Sequence, residues 1–559
     1  MVTIIGAPLK NRNRLYNCAV VIQNGQILGV TAKTCLPQYS EFYEKRWFTP
    51  CDESTEGDIS LLEQDTVFGN DILFRSSNNP ALAFGVEICE DLWSPIPPSS
   101  KLATSGANIL FNLSASDETI GKHDYRRSLI SQQSARCIAA YAYVSAGPGE
   151  STTDLVYGGY GGICENGKFI KESERFVQSS LTFADVDIQR LNAERLRNTT
   201  FTSGGRFFAN EVVFEYSSKD KSVLQRFVDP HPFVPSNKNI VDERCEEIFN
   251  IQTAGLMKRL KHVNCKNAVI GVSGGLDSTL ALLVTVSAFE KLQIQPKNIK
   301  AITMPGFGTS KNTYNNAIKL MKSLDVEIIE IDIIDACIKH FEAIGHPVDQ
   351  HDLTFENVQA RERTQILMDY ASRIGGIVVG TGDMSELAIG WCTYNGDHMS
   401  NYGVNAGVPK TLVKHLVAWV ADNHIEKDSK LILHKILKTP ISPELLPLDA
   451  DGKIAQKTED IVGPYELHDF FLYHFVKYGA EPAKIQYLAE IAFKGVYKST
   501  TIRIWLITFF KRFFSQQFKR SCIPDSPKVG TISLSPRGDW RMPSDACVDI
   551  WLKELAEGK

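Results

Sequence analysis

GVSGGLDSTL, residues 271–280, sets two adjacent glycines, flanking serines and one aspartate between the apolar run NAVI and a second one, ALLVTVSAF. A strand that becomes a helix through such glycines presents unpaired backbone N–H groups at the positive end of the helix dipole, and that arrangement binds anions. A Walker A loop would need a Lys-Ser/Thr pair after the second glycine, and a dinucleotide turn would need G-x-G-x-x-G; the stretch has neither. Taken alone, it also reads as a tightly packed βα turn without a ligand. A second reactive candidate is Cys89 in GVEICEDLW, residues 85–93, a thiol after an apolar strand and before two carboxylates. A lone buried cysteine is ordinarily inert packing.

Two different textures must position these groups. Residues 1–195 read mainly as strands joined by turns: VTIIGAPL, AVVIQNGQILGV, LAFGVEI, NILFNLSA and YVSAG. Asn24-Gly25 marks a hairpin inside the second of these, and RRSLISQQSARCIAAY reads as a helix. Residues 196–239, which include the Pro-rich DPHPFVPSN, read as a linker. From 240 the strands AVIGV, IKAITMP, VEIIEIDI and GIVVGT alternate with helical patterns, the signature of a parallel sheet with helices on both faces. After 410 the pattern is helical, closing with the polar tail SLSPRGDWRMPSD.

The chain has 559 residues, which is too long for one core. Its 60 basic and 65 acidic residues leave a net charge of −5, so no general field for nucleic acid exists. The 12 cysteines are scattered without a C-x-x-C pair, which points to a reducing compartment and against a zinc ribbon. The longest apolar stretch, TIRIWLITFFKRFF, carries Arg503, Lys511 and Arg512 and is too short to span a membrane. The N-terminus has no h-region, and the expected location is the cytoplasm.

SGGLDS at 273–278 resembles the SGG-x-DS pyrophosphate loop of the N-type ATP pyrophosphatases. The resemblance implies that Gly271, Val272, Ser273, Gly274, Gly275, Leu276, Asp277 and Ser278 hold ATP, with Ser273 at the reacting phosphates and Asp277 helping to bind Mg²⁺. GTGDMSELAIGWCTYNGD, residues 380–397, is similar to the NAD synthetase motif of that family. It implies Thr381 as an ATP contact, Glu386 as the second metal carboxylate, and Glu386, Trp391, Cys392, Thr393 and Tyr394 around deamido-NAD. FENVQARERTQILM adds Asn357 on the dinucleotide and Arg361 on a phosphate; GVPKTL adds Lys410 on ATP; FFSQQFKRSCIPDSPKVG adds Lys519 on the substrate. The chemistry so implied is ATP-dependent amidation of deamido-NAD through an adenylate, releasing AMP and pyrophosphate.

The N-terminal half resembles the nitrilase (carbon–nitrogen hydrolase) superfamily, whose Cys–Glu–Lys triad sits in an αββα sandwich. Cys89 falls at the nucleophile and Lys33, in AKTCLPQYSEFYEKRWF, at the lysine, with Tyr39, Ser116 and Lys122 at glutamine-contacting positions. The fusion resembles that of a glutamine-dependent synthetase, and the resemblance implies that ammonia from glutamine passes through a tunnel to the adenylate. The triad's glutamate belongs upstream of the lysine, yet residues 1–32 contain no Glu and no Asp. Glu41 and Glu44 fall in a different segment of the pattern and are not assigned to it. The expected fold is therefore α/β: an αββα sandwich lacking its first strands, then a Rossmann-like parallel-sheet domain with a helical C-terminal part. The expected nitrogen source for this chain is free ammonia, and a homo-oligomer without membrane or nucleic-acid partners is implied. Another amidating ligase of the superfamily, such as GMP synthetase, and a non-catalytic nucleotide-binding protein are the alternatives.

Overall fold

Strand-forming runs dominate the first 227 residues, and two sheets result. The computed structural model describes all residues except 151–152, 202–208, 218–222, 236–237, 425–426, 440–444, 447–457 and 558–559. It divides into two units, Met1–Phe227 and Val228–Lys559.

In the first unit, β1 (Val2–Asn11), β2 (Arg14–Gln23), β3 (Gln26–Ala32), β4 (Gly57–Leu61) and β5 (Gln64–Gly69) form a sheet of order β1-β2-β3-β5-β4. The Asn24-Gly25 hairpin joins β2 to β3, with φ of 51° and 80° at its two central residues, the left-handed values that such a turn demands. A second sheet contains β6 (Ile72–Ser76), β7 (Ala83–Ile88), β8 (Ile109–Ser114), β9 (Ala140–Ser145), β10 (Gly161–Glu165), β11 (Lys168–Glu172) and β12 (Asn210–Phe214), in the order β11-β10-β9-β8-β7-β6-β12. The sheets face each other across Ala19, Val21, Phe74, Phe84, Val86 and Phe214, with Phe74 and Phe84 stacked at 4.8 Å. On its other face the larger sheet buries α1 (Pro98–Ser105) and α2 (Lys122–Arg136) through Leu102, Ala103 and Ile130, while α3 (Ile188–Arg197) contributes Leu191.

Two sequence readings are revised in detail. The helix read over 126–141 ends at Arg136, and its last apolar residues belong to β9, because Ile138 turns the chain at a φ of 43° and Ala140 and Tyr141 are buried in the sheet. The stretch 196–239 read as linker contains β12, an edge strand parallel to β6; residues 202–208, 218–222 and 236–237 of it lie outside the described residues.

The second unit opens with α4 (Lys238–His262) and then alternates strands and helices. Its sheet holds β13 (Ala268–Gly271), β14 (Ile299–Thr303), β15 (Glu327–Glu330), β16 (Ile377–Gly380) and β17 (Tyr402–Gly403), all parallel, in the order β15-β14-β13-β16-β17. Between them run α5 (Leu276–Lys291), α6 (Lys311–Ser323), α7 (Ile334–Ile344), α8 (Leu353–Arg373) and α9 (Met384–Ile389), followed by α10 (Lys410–Asn423). The chain leaves β13 to build one side of the sheet and returns at β16 on the other, so the carboxyl ends of β13 and β16 flank the switch point where open α/β sheets bind ligands. Helix α5 is apolar around most of its circumference because it is buried almost all round.

The C-terminal part is helical: α11 (Lys427–Ile436), α12 (Thr458–Val462), α13 (Tyr465–Leu472), α14 (Pro482–Ala492), α15 (Ser499–Ser515), α16 (Gln517–Arg520) and α17 (Asp549–Glu557). Phe470, Phe471, Phe509 and Phe513 pack α13 against α15. Beyond the polar tail, α17 docks Trp551 on Phe514 at 4.9 Å. Among the described residues no helix is long and apolar enough to cross a membrane, and all twelve cysteines are unpaired thiols.

Candidate active site

Leaving β13, the chain turns through Ser273, Gly274 and Gly275 into α5. Gly274 holds φ at 87°, and a Cβ there would stand 2.4 Å from the Thr313 carbonyl oxygen, so neither the conformation nor the space admits a side chain. Ser273 and Ser278 hydroxyls lie 3.1 Å apart, and the Gly275 N–H donates to Ser273 Oγ at 3.3 Å. Gly274→Ala is expected to strain the turn by about 1–3 kcal/mol and to weaken ATP binding by about 10- to 100-fold. Calorimetric titration with ATP checks this, and unchanged affinity would remove the turn from the site.

Asp277, in the first turn of α5, meets Asp383 and Glu386, and all three offer carboxylate oxygens within 4.8 Å of one another. Lys410, at the start of α10, places its ammonium among them: 2.7 Å from Asp277, 2.6 Å from Asp383 and 2.9 Å from Glu386. Asp383 was not among the residues expected from the sequence. It caps α9, its Oδ1 accepting the Glu386 N–H at 2.9 Å, while its other oxygen turns to the lysine. Burial pushes the Glu386 carboxyl up to about 7 and raises Asp383 as well, in both cases against the pull of Lys410. Burial also opposes the charge on Lys410, but the three carboxylates outweigh it and hold the ammonium protonated. Three carboxyls surround one ammonium, and Asp277 Oδ1 is buried without a hydrogen-bond partner among the described residues. An oxygen-only donor set with an orphaned acceptor suits a hard divalent cation.

Further residues, none visible as site residues in the sequence, fix this cluster. Buried Asn405 donates to the carbonyls of Asp277 at 2.9 Å and Thr381 at 3.0 Å, tying the turn after β13 to the turn after β16. Asp469 on α13 accepts from Ser385 and from Thr411 Oγ1 at 2.6 Å, while Ser385 Oγ accepts the Lys410 N–H at 2.8 Å, so α9 and α10 start from a shared anchor.

One cavity of about 720 Å³ runs from this cluster to Trp391, Cys392, Thr393, Tyr394 and Lys519. Asn357 on α8 accepts from the Thr393 hydroxyl at 2.9 Å, and Arg361 Nε donates to the Tyr394 carbonyl at 3.3 Å. The loop after α9 is held from behind by cations. Lys519 donates to the carbonyls of Gly390 at 2.8 Å and Cys392 at 2.6 Å, Arg512 to Ile389 at 2.9 Å, and Arg520 to Ala388 at 2.7 Å. Basic groups suit the negative end of a helix.

In the first unit, Cys89 follows β7 at a φ of 49°, a conformation a non-glycine residue holds only when its surroundings impose it. Asn112 imposes it, its side-chain amide accepting the Cys89 N–H at 3.2 Å and donating to the Cys89 carbonyl at 3.4 Å. Asp91 accepts from the N–H groups of Ile88 at 2.9 Å and Cys35 at 2.7 Å, which clamps the segment carrying Lys33 to the one carrying Cys89. Burial raises the Cys89 thiol above its ordinary pKa, with the Lys33 charge working the other way. Lys33 is buried and pairs at 2.6 Å with Glu44, the carboxylate the sequence pattern left unassigned. Tyr39 donates to Glu90 at 2.8 Å, Ser116 Oγ lies 3.4 Å from Arg126, and Lys122 pairs with Asp117.

Residues 1–195 match the carbon–nitrogen hydrolase family and residues 248–512 the NAD synthase family. The glutamine-dependent NAD(+) synthetase of Mycobacterium tuberculosis is 45% identical over 588 aligned positions, covering 99% of this chain and 86% of the relative. The chain belongs to the glutamine-dependent NAD(+) synthetase family. Within this family the Thermotoga maritima enzyme is 28% identical over 97% of the chain and 84% of its own length. The solved Cytophaga hutchinsonii family member covers the whole chain and 87% of its own at 19% identity, with a TM-score of 0.47.

Proposed function

We propose that the chain amidates deamido-NAD to NAD at the expense of ATP, and that the cavity of the second unit is where it does so. The observation that carries this reading is the continuity of a Gly-rich anion turn, a carboxylate–lysine cluster and an aromatic loop around one 720 Å³ space at the switch point of a parallel sheet. The backbone of 273–278 and the two serines hold the phosphates of ATP. Asp277, Asp383 and Glu386 would hold Mg²⁺, which when bound neutralises phosphate charge beside the α-phosphorus. Lys410 adds its own charge to the same region. Trp391, Cys392, Thr393 and Tyr394 with Asn357 and Lys519 line the space for the dinucleotide.

The carboxylate of deamido-NAD attacks the α-phosphorus and pyrophosphate departs into the turn. Ammonia then attacks the acyl carbon, AMP leaves, and the amide of NAD remains. The residues contribute position and charge compensation, the usual sources of rate in phosphoryl and acyl transfer.

The first unit supplies ammonia from glutamine in this reading, with Cys89 as nucleophile, Lys33 beside it and Tyr39, Ser116 and Lys122 around the substrate. A buried thiol of raised pKa needs a general base, and loss of such a base costs about 10²–10⁴-fold. The chain is expected to make NAD from deamido-NAD, ATP and ammonium, and Cys89→Ala is expected to keep that activity while slowing the glutamine-supported reaction at least about 100-fold. Parallel assays with the two nitrogen donors decide it. Equal glutamine-supported rates in the variant and the unaltered chain would remove Cys89 from the reaction. No NAD from ammonium would overturn the synthetase reading itself.

A further inference from the structure

Of the five cationic residues that line the cavity, Lys410, Lys519 and Arg512 are not equally committed. Lys410 is enclosed by three carboxylates, and Lys519 Nζ donates to two carbonyls. Arg512 is tethered only through Nε, to the Ile389 carbonyl at 2.9 Å, and its terminal nitrogens have no partner among the described residues. No carboxylate pairs with it there, although its side chain is largely withdrawn from water and burial lowers its pKa. The guanidinium lies over the Trp391 ring, 5.4 Å from its centre. A desolvated guanidinium with two free N–H-bearing ends is built for bidentate pairing with a planar anion.

Its position selects which anion. Ile389 lies three residues after Glu386 on α9, about 4.5 Å of helix rise from the carboxylate cluster. An aromatic acid docked in the cavity beside this stacked pair would present its carboxylate to the outer edge of the Arg512 guanidinium while staying close to the phosphate-binding end. We infer that Arg512 recognises the carboxylate of deamido-NAD and so discriminates the acid substrate from the amide product. The inference rests on the proposed amidation. The same guanidinium remains in place to compensate charge on the acyl oxygen when ammonia adds, and it loses its ionic partner once the carboxamide has formed.

The test is calorimetric titration of R512Q with deamido-NAD and with NAD, each without ATP. Loss of a charge-assisted bidentate pair is expected to weaken the acid about 10- to 100-fold, with NAD affinity changed less than about threefold. Equal weakening of both dinucleotides would place Arg512 on their shared pyrophosphate or in a structural role, and would overturn the inference. Unchanged acid affinity would overturn it too. If R512Q loses the wild-type circular dichroism, R512K carries the comparison: it keeps the charge, loses the fork, and must weaken the acid alone. Wild-type protein that neither binds nor amidates deamido-NAD would instead defeat the reading underneath, a result distinct from any change in the acid-to-amide ratio.

Discussion

Lys410→Met is expected to remove NAD synthesis by about 10²–10³-fold and to destabilise the second unit by about 3–5 kcal/mol. The reason is that Asp277, Asp383 and Glu386 would share a buried space without the one ammonium that compensates them. The lost stability should depend on pH. Carboxyls held protonated above their unfolded pKa contribute stability that is intact at low pH and lost as pH rises through the folded values. Glu386, already raised to about 7, and Asp383, also raised, have folded pKa values that rise further without the lysine, so the variant should unfold more readily as pH climbs past neutrality. Added Mg²⁺ should raise the melting temperature of the variant more than that of the wild type, because a divalent cation replaces part of the missing charge. Thermal melts across pH, with and without Mg²⁺, test both statements. A variant as stable as wild type at pH 8 without metal would show that the cluster is not held together by this lysine.

Arg520→Met should act on the loop after α9, proposed above to line the dinucleotide space, rather than on the turn after β13. The guanidinium is fully buried with no carboxylate paired to it among the described residues, and burial brings its pKa down to about 9. It donates to the carbonyls of Leu387 at 3.3 Å and Ala388 at 2.7 Å, to that of Phe513, and to Gln517 Oε1 at 2.9 Å. Methionine relieves the buried charge but leaves these acceptors without a donor. The orphaned carbonyls dominate, and the expected cost is about 2–4 kcal/mol. Since α9 carries Glu386 and leads directly to Trp391, KM for deamido-NAD should rise at least tenfold while KM for ATP moves little. Steady-state kinetics with each substrate varied in turn would detect the split. An equal rise in both constants would show that the arginine supports the whole unit and not this loop.

What the sequence discloses follows from how local each signal is. The turn at 271–278 is legible because strand, glycines and helix are contiguous, and the alternation after 240 points to a parallel sheet for the same reason. Asp383 is partly legible: Asp383-x-x-Glu386 is a capping-box pattern, so its role as helix cap is written in the spacing. That its second oxygen faces Lys410 depends on where α10 packs, which no local pattern records. Lys33 and Glu44 pair across a separation of 11 positions through an irregular loop, where neither helical nor strand periodicity operates. Arg512 and Arg520 reach α9 from more than 120 positions away, and in the sequence they are only basic residues at the end of an aromatic helix. Strand β12 is hidden because NEVVF is only five residues long.

That strand has a consequence for the order in which the first unit is made. β12 pairs in parallel with β6, and Asn78 and Tyr216, 138 positions apart, fasten its end through the Tyr216 N–H and the Asn78 side chain. Such distant pairing forms late, because its loop entropy must be met before the contact rewards it. A nascent chain that has emerged only as far as residue 195 has the residues that match the hydrolase family but lacks Phe214, which packs edge-on against Phe84 in the inter-sheet core. Until some 20 more residues are synthesised, the backbone of β6 remains an open edge beside an apolar face, the configuration most prone to pair with another chain. Recombinant excision at the family boundary would freeze the molecule at that vulnerable moment; ending the piece after Tyr216 lets it pass.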